Sequence, residues 1–148
     1  MFAGGFDLAA IKEVCGTDGQ TAAKVADLTA RLVEKSLLLK QGGSGQYQLL
    51  ETIRQYAAEQ LVVAGELDAI RDRHARFYLG VALQESAATL TGPERTHLEV
   101  LHRIEDNTRI ALECLLRIDP PAALGLAVRL AGREGAPQRD QWRHGSFG

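Results

Sequence analysis

The chain has 148 residues, 45% of them apolar, with 17 basic and 19 acidic side chains and a formal net charge of −2. That balance excludes collagen-like and intrinsically disordered classes and allows one sizeable core or two small ones. Aromatic residues make up only 5%, and the weight of Ala and Leu favours a mainly α protein over a β-sandwich.

The two cysteines, Cys15 and Cys114, have no CxxC or Cys/His ligand spacing. A disulfide framework and a zinc site are therefore excluded, and both are expected to be small buried hydrophobes in a reducing compartment. No basic-then-apolar leader opens the chain, and no apolar run reaches the ~18 residues of a membrane span. The expected location is cytoplasmic, with no membrane partner.

Phe6 to Gly16 reads as a short amphipathic helix, capped by Asp7, ended by Gly16 and presenting Leu8, Ile11 and Cys15 on one face. Thr21 to Ser36 follows as a second helix, with Val25, Leu28, Leu32 and Val33 at helical spacing. LLLKQ, the tip Gly42-Gly43-Ser44-Gly45 and QYQLL then give strand, turn, strand. Two helices followed by a hairpin is the order of a winged helix.

At Glu51 the period changes from two to 3.6, and Ile53, Tyr56, Ala57, Gln60 and Leu61 form the stripe of a third helix that ends at Gly65. Glu51 or Thr52 is expected to cap it. The next helix runs from Glu66 to about Leu90 on a stripe of Leu67, Ile70, His74, Phe77, Tyr78 and Val81, and Thr91-Gly92-Pro93 breaks it. A long helix from about Glu94 to Arg117 carries Leu98, Leu101, Ile104, Ala111, Leu112 and Leu115. Beyond Pro120-Pro121, Ala122 to Ala131 reads as one more short helix. The expected division is a winged-helix domain over 1–64, the start of an antiparallel, tetratricopeptide-like helical array over 65–132, and an irregular tail over 133–148.

Nucleotide-binding motifs fail on spacing. A phosphate-binding loop would need Gly where Glu34 and Thr29 stand, and a dinucleotide fingerprint would need Gly at Gln48 and a helix after the loop. His74, His97, His102 and His144 contain no i, i+4 pair for a metal, and His74 on an apolar stripe reads as a packed, hydrogen-bonded histidine. Glu105 and Asp106 point about 100° apart on a helix, which is poor geometry for a carboxylate pair. An active site would have to be assembled from distant residues such as Glu51, Arg54 and His74. The reading is non-enzymatic, without catalytic, cofactor or metal residues.

Duplex DNA is a partner to weigh, since winged helices use a helix and the wing to reach it. Phosphate contact requires positive charge. Residues 1–50 hold five basic and five acidic side chains, so a structural or regulatory winged helix ranks ahead of a DNA reader. In the alternative reading, a free-standing DNA-binding regulator with a helical dimerisation domain, the basic face is Lys24, Arg31 and Lys40.

Five blocks carry a resemblance: FAGGFDLAAIKEVC, LTARLVEKSLL, YQLLETIRQYAAEQL, RDRHARFYL and IEDNTRIALECLL. Together, over about Phe2 to Ala131, their order resembles the segment after the nucleotide-binding domain of bacterial STAND-class regulators, the AfsR-like and LuxR-type ATPases with NB-ARC, winged-helix and tetratricopeptide parts. By resemblance, Leu32, Lys35, Ser36 and Leu37 match one motif, and Leu50, Glu51, Thr52, Arg54 and Tyr56 match a second, interdomain one. Glu105, Asp106, Asn107, Arg109, Ala111 and Leu112 match a third, with Thr108 where an apolar residue is usual.

The resemblance implies a regulatory and protein-interaction module, in signal transduction and transcription control, that packs on a nucleotide-binding domain. ATP or ADP would belong to that upstream domain, which is expected to be missing from this chain. Met1 falls inside a block that normally continues from it, so the expectation is a fragment, a split gene or a misplaced start. Arg54, outside the apolar stripe, is expected to pair with an acidic group on the missing domain or on the next helix.

Overall fold

A computed structural model describes residues 2–16, 19–43, 45–88, 100 and 103–134. The order is α1 (Leu8–Cys15), α2 (Ala22–Glu34), β1 (Leu38–Gln41), β2 (Gln46–Leu49), α3 (Glu51–Ala64), α4 (Leu67–Ala88), α5 (Glu105–Ile118) and α6 (Pro120–Glu134). The chain is mainly helical with one small antiparallel sheet, an arrangement compatible with a winged helix.

Asp7 caps α1, its Oδ1 accepting the Ala10 N–H at 2.8 Å. The buried face is not the expected one. Ala10 and Val14 are buried, whereas Leu8 and Cys15 are exposed. The helix is rotated because it packs against both α2 and α4, and a small residue such as Ala10 at a contact gives little hydrophobic signal. Gly16 ends the helix by close approach: a Cβ there would lie 2.2 Å from Lys12 O.

Thr21 caps α2 through the Lys24 N–H. Val25 is buried as expected, but its companion is Thr29, whose Oγ1 donates to Val25 O at 2.7 Å and so satisfies the hydroxyl. Leu28 and Leu32 are each 41% exposed. The helix closes with Leu37 N–H on Leu32 O and Ser36 N–H on Val33 O, which places Ser36 at φ +56°.

In the hairpin, Leu38 pairs with Leu49 and Gln41 with Gln46. Gly43 and Gly45 turn at φ +78° and +65°. A single bridge adds Phe6 to the outer edge of β2, with Phe6 N–H on Tyr47 O at 3.0 Å and Tyr47 N–H on Phe6 O at 2.7 Å. Leu50, without a side-chain cap, precedes α3. Glu51 and Thr52 are therefore first-turn residues, not caps. No residue of α3 is fully buried, and Tyr56 is 60% exposed, so the sequence stripe on this helix is only half used. Gly65 ends α3 at φ +71°.

The stripe expected on α4 holds: Ile70, His74 and Tyr78 are buried, joined by Ala75 and Ala82. Residues 89–99, with the Thr91-Gly92-Pro93 break and Leu98, lie outside the described residues, as does Leu101. Ile104, buried, leads into α5. The prolines of the last segment stand inside α6, not ahead of it: Asp119 Oδ1 accepts the Ala122 N–H at 3.2 Å, and Pro120 and Pro121 occupy the first turn, where no N–H is missed. The helix reaches Glu134.

α4 packs on α5 and α6, α5 packs on α6, and α1 lies against α4. One buried cluster joins Phe2, Phe6, Val14 and Leu38 to Tyr78, Leu115 and Leu126, so the core runs unbroken past Gly65. Among the described residues no helix is long and apolar enough to cross a membrane.

Candidate functional site

Three places bring together chemistry-bearing residues. The first is the outer face of α2 with the hairpin. Lys24, Arg31 and Lys40 are all exposed, with Lys35 beside them. Lys24 and Arg31 are seven residues apart, two helical turns, and so share a face. Asp27 and Leu28 flank them on that face, and the exposed Ala22, Ala23, Ala26 and Ala30 lie about 90° or more round the helix. Residues 22–41 carry four basic side chains against Asp27 and Glu34; the remaining acidic groups of the first fifty residues lie outside this stretch.

The second is a cleft of about 390 Å³ bounded by α3, α4 and α5. Glu51, Arg54 and His74 line it, together with Arg71, Glu113 and Arg117. Their chemistry is already spent. Arg54 Nε and Nη2 donate to the two oxygens of Glu51 at 2.9 and 2.7 Å, and Gln55 Nε2 adds a bond at 3.0 Å. The Arg54 bonds, then that of Gln55, hold the Glu51 carboxyl below its usual range. Arg54 thus finds its acidic partner one turn away on its own helix.

Burial pushes the His74 imidazole down to about 4, the positive N-terminus adds to the depression, and Asn107 opposes it. The ring is therefore neutral at pH 7. Cys114, buried as expected, directs its Sγ to Arg71 O at 3.7 Å. No group of three His, Cys, Asp or Glu side chains among the described residues could hold a metal ion. His97, His102 and His144 lie outside the described residues.

The third place is buried. Asn107, fully enclosed in the first turn of α5, accepts the Ala3 N–H on Oδ1 at 2.8 Å and donates from Nδ2 to Gly5 O at 2.9 Å. His74 Nε2 stands 3.4 Å from the same Oδ1. Around them Phe2 stacks on Phe6 at 4.1 Å, meets His74 edge-on at 5.4 Å, and Tyr78 tilts against His74 at 4.7 Å. Asn107 stood inside a motif block without a role. The available signal was an amide flanked by apolar-stripe positions, where an unpaired polar group would be costly.

Above this cluster an apolar groove of about 680 Å³ separates α2 from α3, with Leu28, Leu32, Leu49, Tyr56 and Leu61 on its walls. The exposure of Leu28, Leu32 and Tyr56 has its origin here.

Two comparisons with known proteins matched nothing: no family model fits the chain, and no solved structure resembles it. Curated relatives exist. A protein of Mycobacterium tuberculosis strain H37Rv and one of Mycobacterium bovis, both named as HTH-type transcriptional regulators, are each 37% identical over 115 residues, covering 74% of this chain. A second M. tuberculosis protein, whose name assigns it no function, is 36% identical over 83 residues. The chain spans only 12% of the length of the named regulators and 20% of the other.

Proposed function

We propose that the chain is a module of a transcription regulator in which α2 and the hairpin form a DNA-contacting face on a helical support. The observation that carries this reading is the likeness to relatives named as HTH-type transcriptional regulators. The local charge of residues 22–41 supports it, since basic side chains exceed acidic ones there although the first fifty residues as a whole are balanced. Lys24, Arg31 and Lys40 would meet phosphates, and α4 to α6 would hold the face in place.

The experiment is a fluorescence-anisotropy titration of duplex DNA at two salt concentrations. The unaltered chain should bind with a Kd no weaker than about 10⁻⁴ M, the weak end of non-specific protein–DNA binding, and each lost phosphate contact should lower the salt slope by about one unit. The triple variant K24E/R31E/K40E should abolish binding. Unchanged binding by the variant, or none by the original chain, overturns the reading.

A second reading keeps the chain in the same setting but makes it a docking module beside a STAND-class nucleotide-binding domain, with α4 to α6 opening a tetratricopeptide-like array. The order of the five sequence blocks favours it. It predicts no duplex binding at all, a protein partner, and ATP or ADP held by that partner domain. The same titration separates the two.

A further inference from the structure

Residues 2–6 have two anchorages. At one end, the first turn of α5 clasps them through Asn107, which bonds the Ala3 N–H and Gly5 O. At the other, Phe6 pairs with Tyr47 on the outer edge of β2 through two hydrogen bonds, of 3.0 and 2.7 Å. The two glycines between make the passage narrow. A Cβ at Gly4 would stand 3.2 Å from Asp106 Cβ, and one at Gly5 only 2.5 Å from Gln46 Oε1. The hairpin packs through β1 against α2 and through Leu38, Tyr47 and Leu49 on the common core, and the short segment ties its outer edge to α5 by hydrogen bonds.

We propose that residues 2–6 act as a strap through which α5 governs the hairpin. Docked on Asn107, the strap holds β2 against the helical layer; undocked, it releases that edge as a unit. Phe2 and Phe6, each 4% exposed, make the docked form the ground state. The polar end is where release begins, because one amide supplies both of the side-chain bonds to the strap. That polar end lies outside helix and sheet and is held through one side chain, so it opens at lower cost than the buried Phe2 and Phe6 leave the core. The inference does not depend on DNA contact, since it concerns only how the hairpin is held.

Amide hydrogen exchange followed by NMR reads it directly. In Asn107→Ala, Ala3, Phe6 and Tyr47 should lose protection together, by tenfold or more and to near the rate of an open chain, while Leu115 and Leu126 on α5 and α6 stay protected although the whole fold is weakened. Loss at Ala3 with Tyr47 still protected overturns the proposal, as does loss of all protection at Leu115 and Leu126 along with the strap.

A second variant covers the case in which Asn107→Ala does not fold. The 3.2 Å Cβ separation between Gly4 and Asp106 is within a few tenths of the ~3.5–4.5 Å of a disulfide. With Cys15→Ser and Cys114→Ala in place, G4C/D106C should slow exchange at Phe6 and Tyr47 tenfold when oxidised relative to reduced. Identical exchange in the two redox states overturns the strap.

Discussion

Asn107 and Ala3 meet at 2.8 Å across 104 positions of sequence. One helix residue thereby fixes the start of the chain. The same amide supplies Gly5 O with its donor, so a stretch outside regular secondary structure has its polar backbone satisfied by a side chain. Its neighbour Thr108 is just as buried, but its Oγ1 donates to Ile104 O at 2.8 Å within the same helix. Adjacent buried polar residues thus serve different ends, one long-range and one local.

That difference sets opposite outcomes for two substitutions. Asn107→Leu orphans a donor and an acceptor of residues 3–5, each costing about 1–3 kcal/mol, so a loss of about 3 kcal/mol or more is expected. Thr108→Val removes a hydroxyl whose acceptor, Ile104 O, still receives the Thr108 N–H at 2.9 Å. No group is orphaned, and a change within about 1 kcal/mol is expected. Urea unfolding of the two variants checks both; equal losses would contradict the distinction.

His74 makes stability depend on pH. Its folded-state pKa of about 4 lies below the ordinary 6.5, so between those values the unfolded chain binds a proton that the folded chain does not. Stability is complete above about pH 6.5, falls as the pH drops toward 4, and levels off below. A depression of this size corresponds to about 3 kcal/mol. Other groups titrate in the same range, so the measurement is a comparison with His74→Gln. Between about pH 7 and pH 4.5 the unaltered chain should lose about 2 kcal/mol more than the variant. A gap that stays constant with pH would place the effect elsewhere.

The Glu51–Arg54 pair is exposed and local. Arg54→Ala removes the main cause of the low Glu51 pKa, and the Glu51 carboxyl should move up toward its ordinary range. A titration followed by carboxyl carbon NMR would show it. High salt should not reproduce the whole shift, because hydrogen bonds contribute as well as charge. A Glu51 titration unchanged in the variant would mean that Gln55 alone holds it.

Much of the layout was legible because it is written in local chemistry. Asp7 and Gly65 mark helix ends by capping rules that need no partner, and the period change at Glu51 marks where the hairpin gives way to α3. The stripe on α4 was also legible, since a long helix at the centre of the core repeats its pattern several times.

What misled was burial on short helices. On α1 the buried positions are Ala10 and Val14 instead of Leu8 and Cys15, because two neighbouring helices choose the face and an alanine at a close contact has no hydrophobic signature. On α2 and α3, Leu28, Leu32 and Tyr56 face a groove and are partly exposed. The cleft containing Glu51, Arg54 and His74 depends on how α3 and α4 fold back on each other, which spacing along the chain does not encode. The strap was illegible for the same reason: nothing in Asn107 itself points across 104 residues.

The ends of α2 and α3 use one motif with two different residues. In both, the N–H two positions past the last turn bonds back to the helix, Leu37 to Leu32 O and Glu66 to Leu61 O. The residue between sits in the left-handed region, Ser36 at φ +56° and Gly65 at φ +71°. Glycine occupies that region at little cost, whereas a residue with a Cβ is strained there by about 1–2 kcal/mol. Ser36→Gly should therefore stabilise the protein by about 0.5–1 kcal/mol, reduced from the full strain by the greater freedom of glycine in the unfolded chain. Gly65→Ala should destabilise by about 1 kcal/mol, although nothing lies within 4 Å of the added Cβ. Thermal unfolding of the two variants measures both, and a Ser36→Gly chain that melts lower would show that its hydroxyl contributes more than its backbone costs.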